Sequence, residues 1–480
     1  MIISTIPSLP GSGKTEVAIQ HIKKNIAHMT AITYVAPTMK LLASIKERLI
    51  RQGLNPNDIA VLDSSTTKDQ NVSDNILEER ANRTKKLHLI TSASLANLAN
   101  HTFDDDLMIV DEELNALSTA HYNLVEQSSK MIFSKYVNAK TCSVDDLYKL
   151  ELANISNLDR TDTVYEKTFK ELITTLETSN LDVYVIKKQF DDYLSGERTN
   201  FITFEVLSPN IFKDVGELLY LGYDIQNTLS SLIYKSSLYD VTFTKSALTK
   251  DLRFHEYTSN IIINYFLGDE KGNRSVGNGQ IESNPDVPKK VTAWINENVN
   301  DYLVIGWNYK PSKKAISIPK FNSDLVLPKV SHGLNEQVWM EKTSVVVMSN
   351  FRMSIEDTFL KILGYKHREG DTGRHINLVI QAIARCAVRN NPPCDINIYV
   401  LDQFTATRVQ AQIGGSINEI DLKIGKTRKE PKHKMSVEDK KARERDRAKY
   451  NRLKRKGSLT PAQKMEFTRL SMLFAKGVKV

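Results

Sequence analysis

The sequence predicts an α/β fold built on a parallel sheet, and three observations carry that prediction. Short β-branched runs alternate with helical stretches from residue 1 to about 117, the strand–helix alternation of a parallel sheet. The runs are too apolar and too short for anything but strands covered on both faces. A glycine-rich turn joins the first strand to the first helix. In order, Ile2 to Ile6 reads as a strand, Lys14 to Ala27 as a helix, Ala31 to Ala36 as a strand and Lys40 to Gln52 as a helix. Leu87 to Thr91 and Leu107 to Val110 complete the apolar strands.

With 480 residues, 25% charged and 41% hydrophobic, the chain has ordinary globular composition, which excludes a disordered or fibrous protein. That length suggests two to four domains, at roughly 100 to 200 residues each. Beyond the first region (1–120) comes a stretch, 121–340, whose amphipathic pieces, Thr163 to Glu177 and Leu181 to Leu194, predict a mostly helical insertion. Its Gly268 to Pro288 segment reads as a mobile loop. A strand-like run, Thr343 to Ser349, reopens the α/β pattern for a third region, 341–425, which includes the strand Asp395 to Leu401.

The net charge of +8 is unevenly distributed. Residues 426–480 hold 19 Lys and Arg against 6 Asp and Glu, a net of +13, which leaves the rest of the chain at −5. A tail of this kind is expected to contact a polyanion, and its sequence predicts two helices, the second with Met465, Leu470, Leu473 and Phe474 as an apolar stripe. The three cysteines show no CxxC spacing, so a reducing compartment is expected. No run has the ~18 to 20 apolar residues of a membrane span, so the reading is a soluble, cytoplasmic protein with no membrane partner.

The strongest chemical signal is Pro10-Gly11-Ser12-Gly13-Lys14-Thr15. Wrapping phosphate oxygens closely in backbone amides demands glycine, and a helix N-terminus aimed at the anion completes the cradle. Lys14 would reach the β- and γ-phosphates of a nucleoside triphosphate, and the Thr15 hydroxyl would hold Mg2+. A dinucleotide site would need glycine where Glu16 stands. The second signal is Leu107-Met108-Ile109-Val110-Asp111-Glu112-Glu113, an apolar strand ending in acids. Asp111 is assigned to Mg2+ and Glu112 to the general base that polarises the attacking water.

Four further segments carry a family resemblance. Tyr34-Val35-Ala36-Pro37-Thr38-Met39-Lys40-Leu41-Leu42 resembles motif Ia of superfamily 1 and 2 helicases, and Thr91-Ser92-Ala93-Ser94-Leu95 resembles their motif Ic. Gln381-Ala382-Ile383-Ala384-Arg385-Cys386-Ala387-Val388-Arg389 resembles motif VI, and Val345 to Phe351 resembles motif III more loosely. With the basic tail, the set looks like the DEAD/DEAH-like helicases encoded by bacteriophages. The resemblance implies a RecA-like P-loop NTPase core with a small second lobe in 341–425, and ATP and Mg2+ as cofactors. It implies ATP-driven movement along or unwinding of DNA, single-stranded or forked, with RNA possible. It also implies that Gln381 contacts the γ-phosphate region and that Arg385 or Arg389, four apart on one helix face, is the arginine finger. Pro37, Thr38, Thr91 and Ser92 would grip the sugar-phosphate backbone. A nucleic-acid-stimulated ATPase that does not unwind is the alternative, favoured by the apparent shortness of the second lobe. A DNA-binding protein switched by nucleotide is the other.

Overall fold

The computed structural model describes residues 1–63, 72–123, 136–153, 170–268, 286–305, 320–327, 337–348, 355–366, 375–422, 437–454 and 460–475. Most of the Gly268 to Pro288 loop lies outside these residues. The chain divides into two units, Met1–Leu422 and Lys423–Val480.

The first unit holds three sheets among its described residues. The strands in chain order are β1 (Ile2–Pro7), β2 (Ile32–Ala36), β3 (Ile59–Leu62), β4 (Leu87–Thr91), β5 (Leu107–Asp111), β6 (Leu117–Asn123), β7 (Val137–Thr141), β8 (Leu147–Leu152), β9 (Leu181–Ile186) and β10 (Asn200–Leu207). They continue as β11 (Glu217–Gly222), β12 (Thr242–Lys245), β13 (Asn260–Leu267), β14 (Tyr302–Ile305), β15 (Val326–Leu327), β16 (Ser344–Val347), β17 (Asp395–Asp402) and β18 (Ser416–Glu419). The first sheet is parallel throughout, in the order β12-β1-β11-β5-β2-β4-β3. The α/β class and the parallel sheet expected from the sequence are therefore present. Helices α1 (Lys14–Asn25) and α2 (Met39–Arg51) cover one face, burying Val17, Ile22, Leu42, Ile45 and Leu49 against β1, β2 and β4.

The stretch 121–340 differs from the helical insertion expected of it. The described strands between Leu117 and Leu207 form a second, antiparallel sheet in the order β6-β10-β9-β8-β7. Within Leu181 to Leu194, read as one helix, Leu181–Ile186 is a strand with four consecutive buried residues and only Lys187–Leu194 is helical. The β-branched pairing potential of Val183, Val185 and Ile186 outweighs the helical spacing there. Of Thr163 to Glu177, the described part is the helix Lys170–Glu177.

After the antiparallel sheet the chain returns to complete the first. β11 inserts between β1 and β5, and β12 pairs with the other edge of β1. The third sheet, parallel in the order β15-β14-β16-β17-β13-β18, opens at Asn260. The second lobe is thus larger than the 341–425 region drawn from the sequence. The strand β16, within the run that loosely resembles motif III, lies between β14 and β17 of the second lobe. Ser349 to Phe351 of that motif lie outside the described residues.

The lobes meet in packed contacts. Helix Ile355–Ile362, which follows β16, places Phe359 on the antiparallel sheet, its ring stacked on Phe204 at 4.6 Å between centroids. The Tyr365 hydroxyl donates to the Leu232 carbonyl at 2.6 Å.

In the second unit, helices Val437–Lys454 and Pro461–Ala475 form a hairpin. Tyr450 stacks on Phe467, and Lys449 pairs with Glu466 at 2.8 Å. Leu453 and Leu470 are buried, whereas Met465, placed in the apolar stripe by the sequence, is 77% exposed. The stripe is displaced because Phe467, two residues on, supplies the contact. The Leu473 and Phe474 side chains lie outside the description. Among the described residues no helix is long and apolar enough to cross a membrane.

Candidate active site between the two parallel sheets

The loop after β1 turns sharply because two glycines accept the left-handed region, Gly11 at φ 89° and Gly13 at φ 95°. A Cβ on Gly11 would stand 2.2 Å from the Arg389 carbonyl oxygen, so only glycine fits where the second lobe touches the loop. Ser12 Oγ closes the turn by donating to the Leu9 carbonyl at 2.7 Å, and α1 starts at Lys14, its free amides directed at the loop.

Opposite the loop, β5 ends in Asp111 and the chain then kinks at Glu112, whose φ of 74° is unusual for a residue with a side chain. Such a backbone costs about 1–2 kcal/mol and persists where surrounding contacts hold it. Here the Glu112 N–H donates to Leu221 of β11 at 2.7 Å, and its Oε1 lies 3.6 Å from Lys14 Nζ. Asp111 is almost wholly buried; its Oδ2 accepts from the Tyr34 hydroxyl at 2.7 Å and from Thr15 Oγ1 at 3.4 Å. Its Oδ1 lies 3.8 Å from Lys14 Nζ and accepts no hydrogen bond from the described residues. Burial pushes the Asp111 carboxyl above its ordinary range, against the opposing pull of Lys14. A cation beside it would relieve that cost.

The second lobe closes the cleft. Gln381, Arg385, Arg389 and Asn390 line the same cavity as Gly11, Lys14, Thr15, Asp111 and Glu112. The two arginines do not share a helix face as expected, since the helix Asn377–Ile383 ends before either. Arg385 stands in the following turn and Arg389 in a 3-10 turn, Ala387–Asn390. Three apolar residues, Cys386, Ala387 and Val388, are buried between them and pull the chain inward. Burial lowers the Arg385 guanidinium to about 10, with Arg389 adding repulsion and Glu112 opposing, so it stays charged at neutral pH. Burial likewise lowers Arg389. Gln381 Oε1 is buried with no hydrogen-bond partner among the described residues.

The four residues assigned to nucleic acid sit together at the C-terminal ends of adjacent strands, with Ala36 of β2 in register with Thr91 of β4. Thr38 and Thr91 each cap the helix that follows, accepting from the Leu41 and Ser94 amides at 3.2 and 3.1 Å. Pro37, Thr38, Thr91 and Ser92 are half-buried, and none lines the cavity.

Several site residues were missed by sequence reading. Arg253, between the lobes, donates its N–H to the Ser12 carbonyl at 2.8 Å and lines the cavity. The Tyr257 hydroxyl donates to the Pro10 carbonyl at 2.8 Å. Arg48 of α2 also lines the cavity and pairs with Glu16 at 2.7 Å. Past the end of β11, Tyr223 hydrogen-bonds Gln412 of the second lobe, which also donates to Asp224 at 3.4 Å. No local motif marks any of them.

The residues suit a magnesium nucleotide on chemical grounds. Mg2+ takes one or two protein oxygens and keeps the rest for water and phosphate, and Thr15 Oγ1 with Asp111 Oδ1 offers that set. No cluster of three His, Cys, Asp or Glu suited to a metal occurs among the described residues.

No family model matches the chain, and no curated protein matches it. Solved structures do. A structure titled XPD_APO matches with 11% identity over 87% of this chain and 97% of that chain, at a TM-score of 0.44. Xpd4 of S. tokodaii matches with 13% identity over 87% and 96%, at 0.42. S. cerevisiae Dbp5 bound to RNA and ADP BeF3 matches with 9% identity over 88% and 85%, at 0.37. Likeness this distant brings no activity with it.

Proposed function

We propose that the chain is an ATP-dependent nucleic-acid helicase or translocase with a RecA-like core. One observation carries this reading: a phosphate loop and an acid pair from one parallel sheet share a cavity with two arginines from another, Arg385 buried and Arg389 half-buried. Lys14 and the loop amides hold the β- and γ-phosphates, and Thr15 and Asp111 hold Mg2+, which when bound neutralises charge building on the phosphates. Glu112 accepts a proton from the water that attacks the γ-phosphorus as the bond to the leaving ADP oxygen breaks. Gln381 contacts the γ-phosphate, and Arg385 or Arg389 stabilises the transition-state charge. Hydrolysis then loosens the contact between lobes and shifts the grip of the Pro37–Thr38 and Thr91–Ser92 loops along a strand. The basic hairpin adds sequence-independent affinity for DNA or RNA. The tail also keeps the resemblance to phage helicases, and replication or recombination as the setting, within this reading.

The non-unwinding motor drew its support from an apparently incomplete second lobe, and a six-stranded sheet removes that support. The test is ATP hydrolysis with and without single-stranded DNA and RNA, followed by strand displacement on forked duplexes. Stimulation that disappears in Lys14→Ala and Glu112→Gln is expected. Stimulation without displacement would leave a translocase only, and a rate indifferent to nucleic acid and to both substitutions would remove the motor.

A further inference from the structure

Tyr34 lies on β2, in the core of the first lobe, and is fully buried. A phenylalanine would fill that space without burying a hydroxyl, so the hydroxyl needs an account. Its partner is Asp111, at 2.7 Å, on the neighbouring strand β5. Tyr34 and Thr15 both donate to the same oxygen, Oδ2, from opposite sides of the site: one from the core, one from the first turn of α1. Two donors on one oxygen fix the rotation of the carboxylate. The other oxygen, Oδ1, is then held toward Lys14 with no hydrogen bond from the described residues.

We propose that Tyr34 is a positioning residue that sets the Asp111 carboxylate so that Oδ1 is presented to the magnesium of a bound nucleotide. The inference rests on the nucleotide-binding reading above. Tyr34 touches neither metal nor phosphate and acts only through Asp111. An outer-shell partner of this kind changes metal affinity by roughly 10- to 100-fold when removed. The same strand ends two residues on at Ala36 and Pro37 follows it, so the residue that orients the metal carboxylate lies just ahead of the loop assigned to nucleic acid.

The experiment compares wild type with Tyr34→Phe, which deletes the hydroxyl and keeps the ring. Binding of a fluorescent non-hydrolysable ATP analogue is measured in EDTA and across a Mg2+ titration, with no turnover involved. Equal affinity in EDTA is expected, with the Mg2+ midpoint moved up about 10-fold in the variant. In an Asp111→Asn background, Tyr34→Phe should change the midpoint no further. Melting in EDTA checks the fold, and Tyr34→Leu replaces the phenylalanine variant if that one does not reach it. An unchanged Mg2+ midpoint overturns the proposal, as does an equal loss in EDTA and in Mg2+, which would make Tyr34 a packing residue. Wild type that binds no analogue in either condition would instead overturn the nucleotide-binding reading beneath it.

Discussion

The two parallel sheets have the same construction and contribute opposite things. In the first, the groups at the site are set by neighbouring strands: the loop after β1, Asp111 at the end of β5 beside Leu221 of β11, and Tyr34 in mid-strand on β2, in register with Ile109. In the second, the arginines lie in a turn past a helix end and reach the site only because the lobes touch at Gly11, Pro10 and Ser12. Hydrogen-bonded strands fix the loop after β1 and Asp111 relative to one another. The guanidiniums depend instead on contacts between the lobes.

That contrast breaks most severely at the arginines. Arg385→Ala and Arg389→Ala are each expected to leave nucleotide affinity within a few-fold, and whichever is the finger should lower kcat by about 10^3-fold. Single-turnover hydrolysis checks this, and a loss confined to KM would return both residues to simple binding. Glu112→Gln should cost about 10^2-fold in kcat while nucleotide still binds, because the amide keeps the shape and loses the basicity. Equilibrium binding beside steady-state rates separates the two. The smallest effect is expected from removing 426–480. Basal hydrolysis should persist, nucleic-acid affinity should fall, and the plot of log affinity against log salt should flatten. An unchanged slope would mean that the basic hairpin touches no phosphate.

The contrast also explains what the sequence revealed. The phosphate loop and the acid-ended strand are local patterns, each contained in a few residues with one strand and one turn to read. Arg253, Tyr257 and Gln412 carry no such pattern, and their roles exist only through partners far away in the chain. The helical reading of 181–194 failed because apolar residues at helical spacing also satisfy a strand whose two faces are both covered. Here the inner face packs toward Phe204 and Phe359, and the outer face toward Phe190 and Phe201. The second lobe was misjudged because β13 belongs with β17, whose partner residues lie about 135 positions away. Spacing of that length leaves no trace in a window of sequence.

The place of β1 in its sheet has a consequence for how the molecule is made. Its two neighbours, β11 and β12, are synthesised more than 200 residues after it. During translation β1 therefore has no strand to pair with until the antiparallel sheet has already emerged, and the loop it positions has no fixed shape in the interval. A fragment ending at residue 120 should melt without cooperativity and bind no nucleotide, as scanning calorimetry and the fluorescent analogue would report. The phosphate loop, among the first segments to leave the ribosome, thus follows a strand that is among the last to gain its partners, after the inserted sheet has been synthesised.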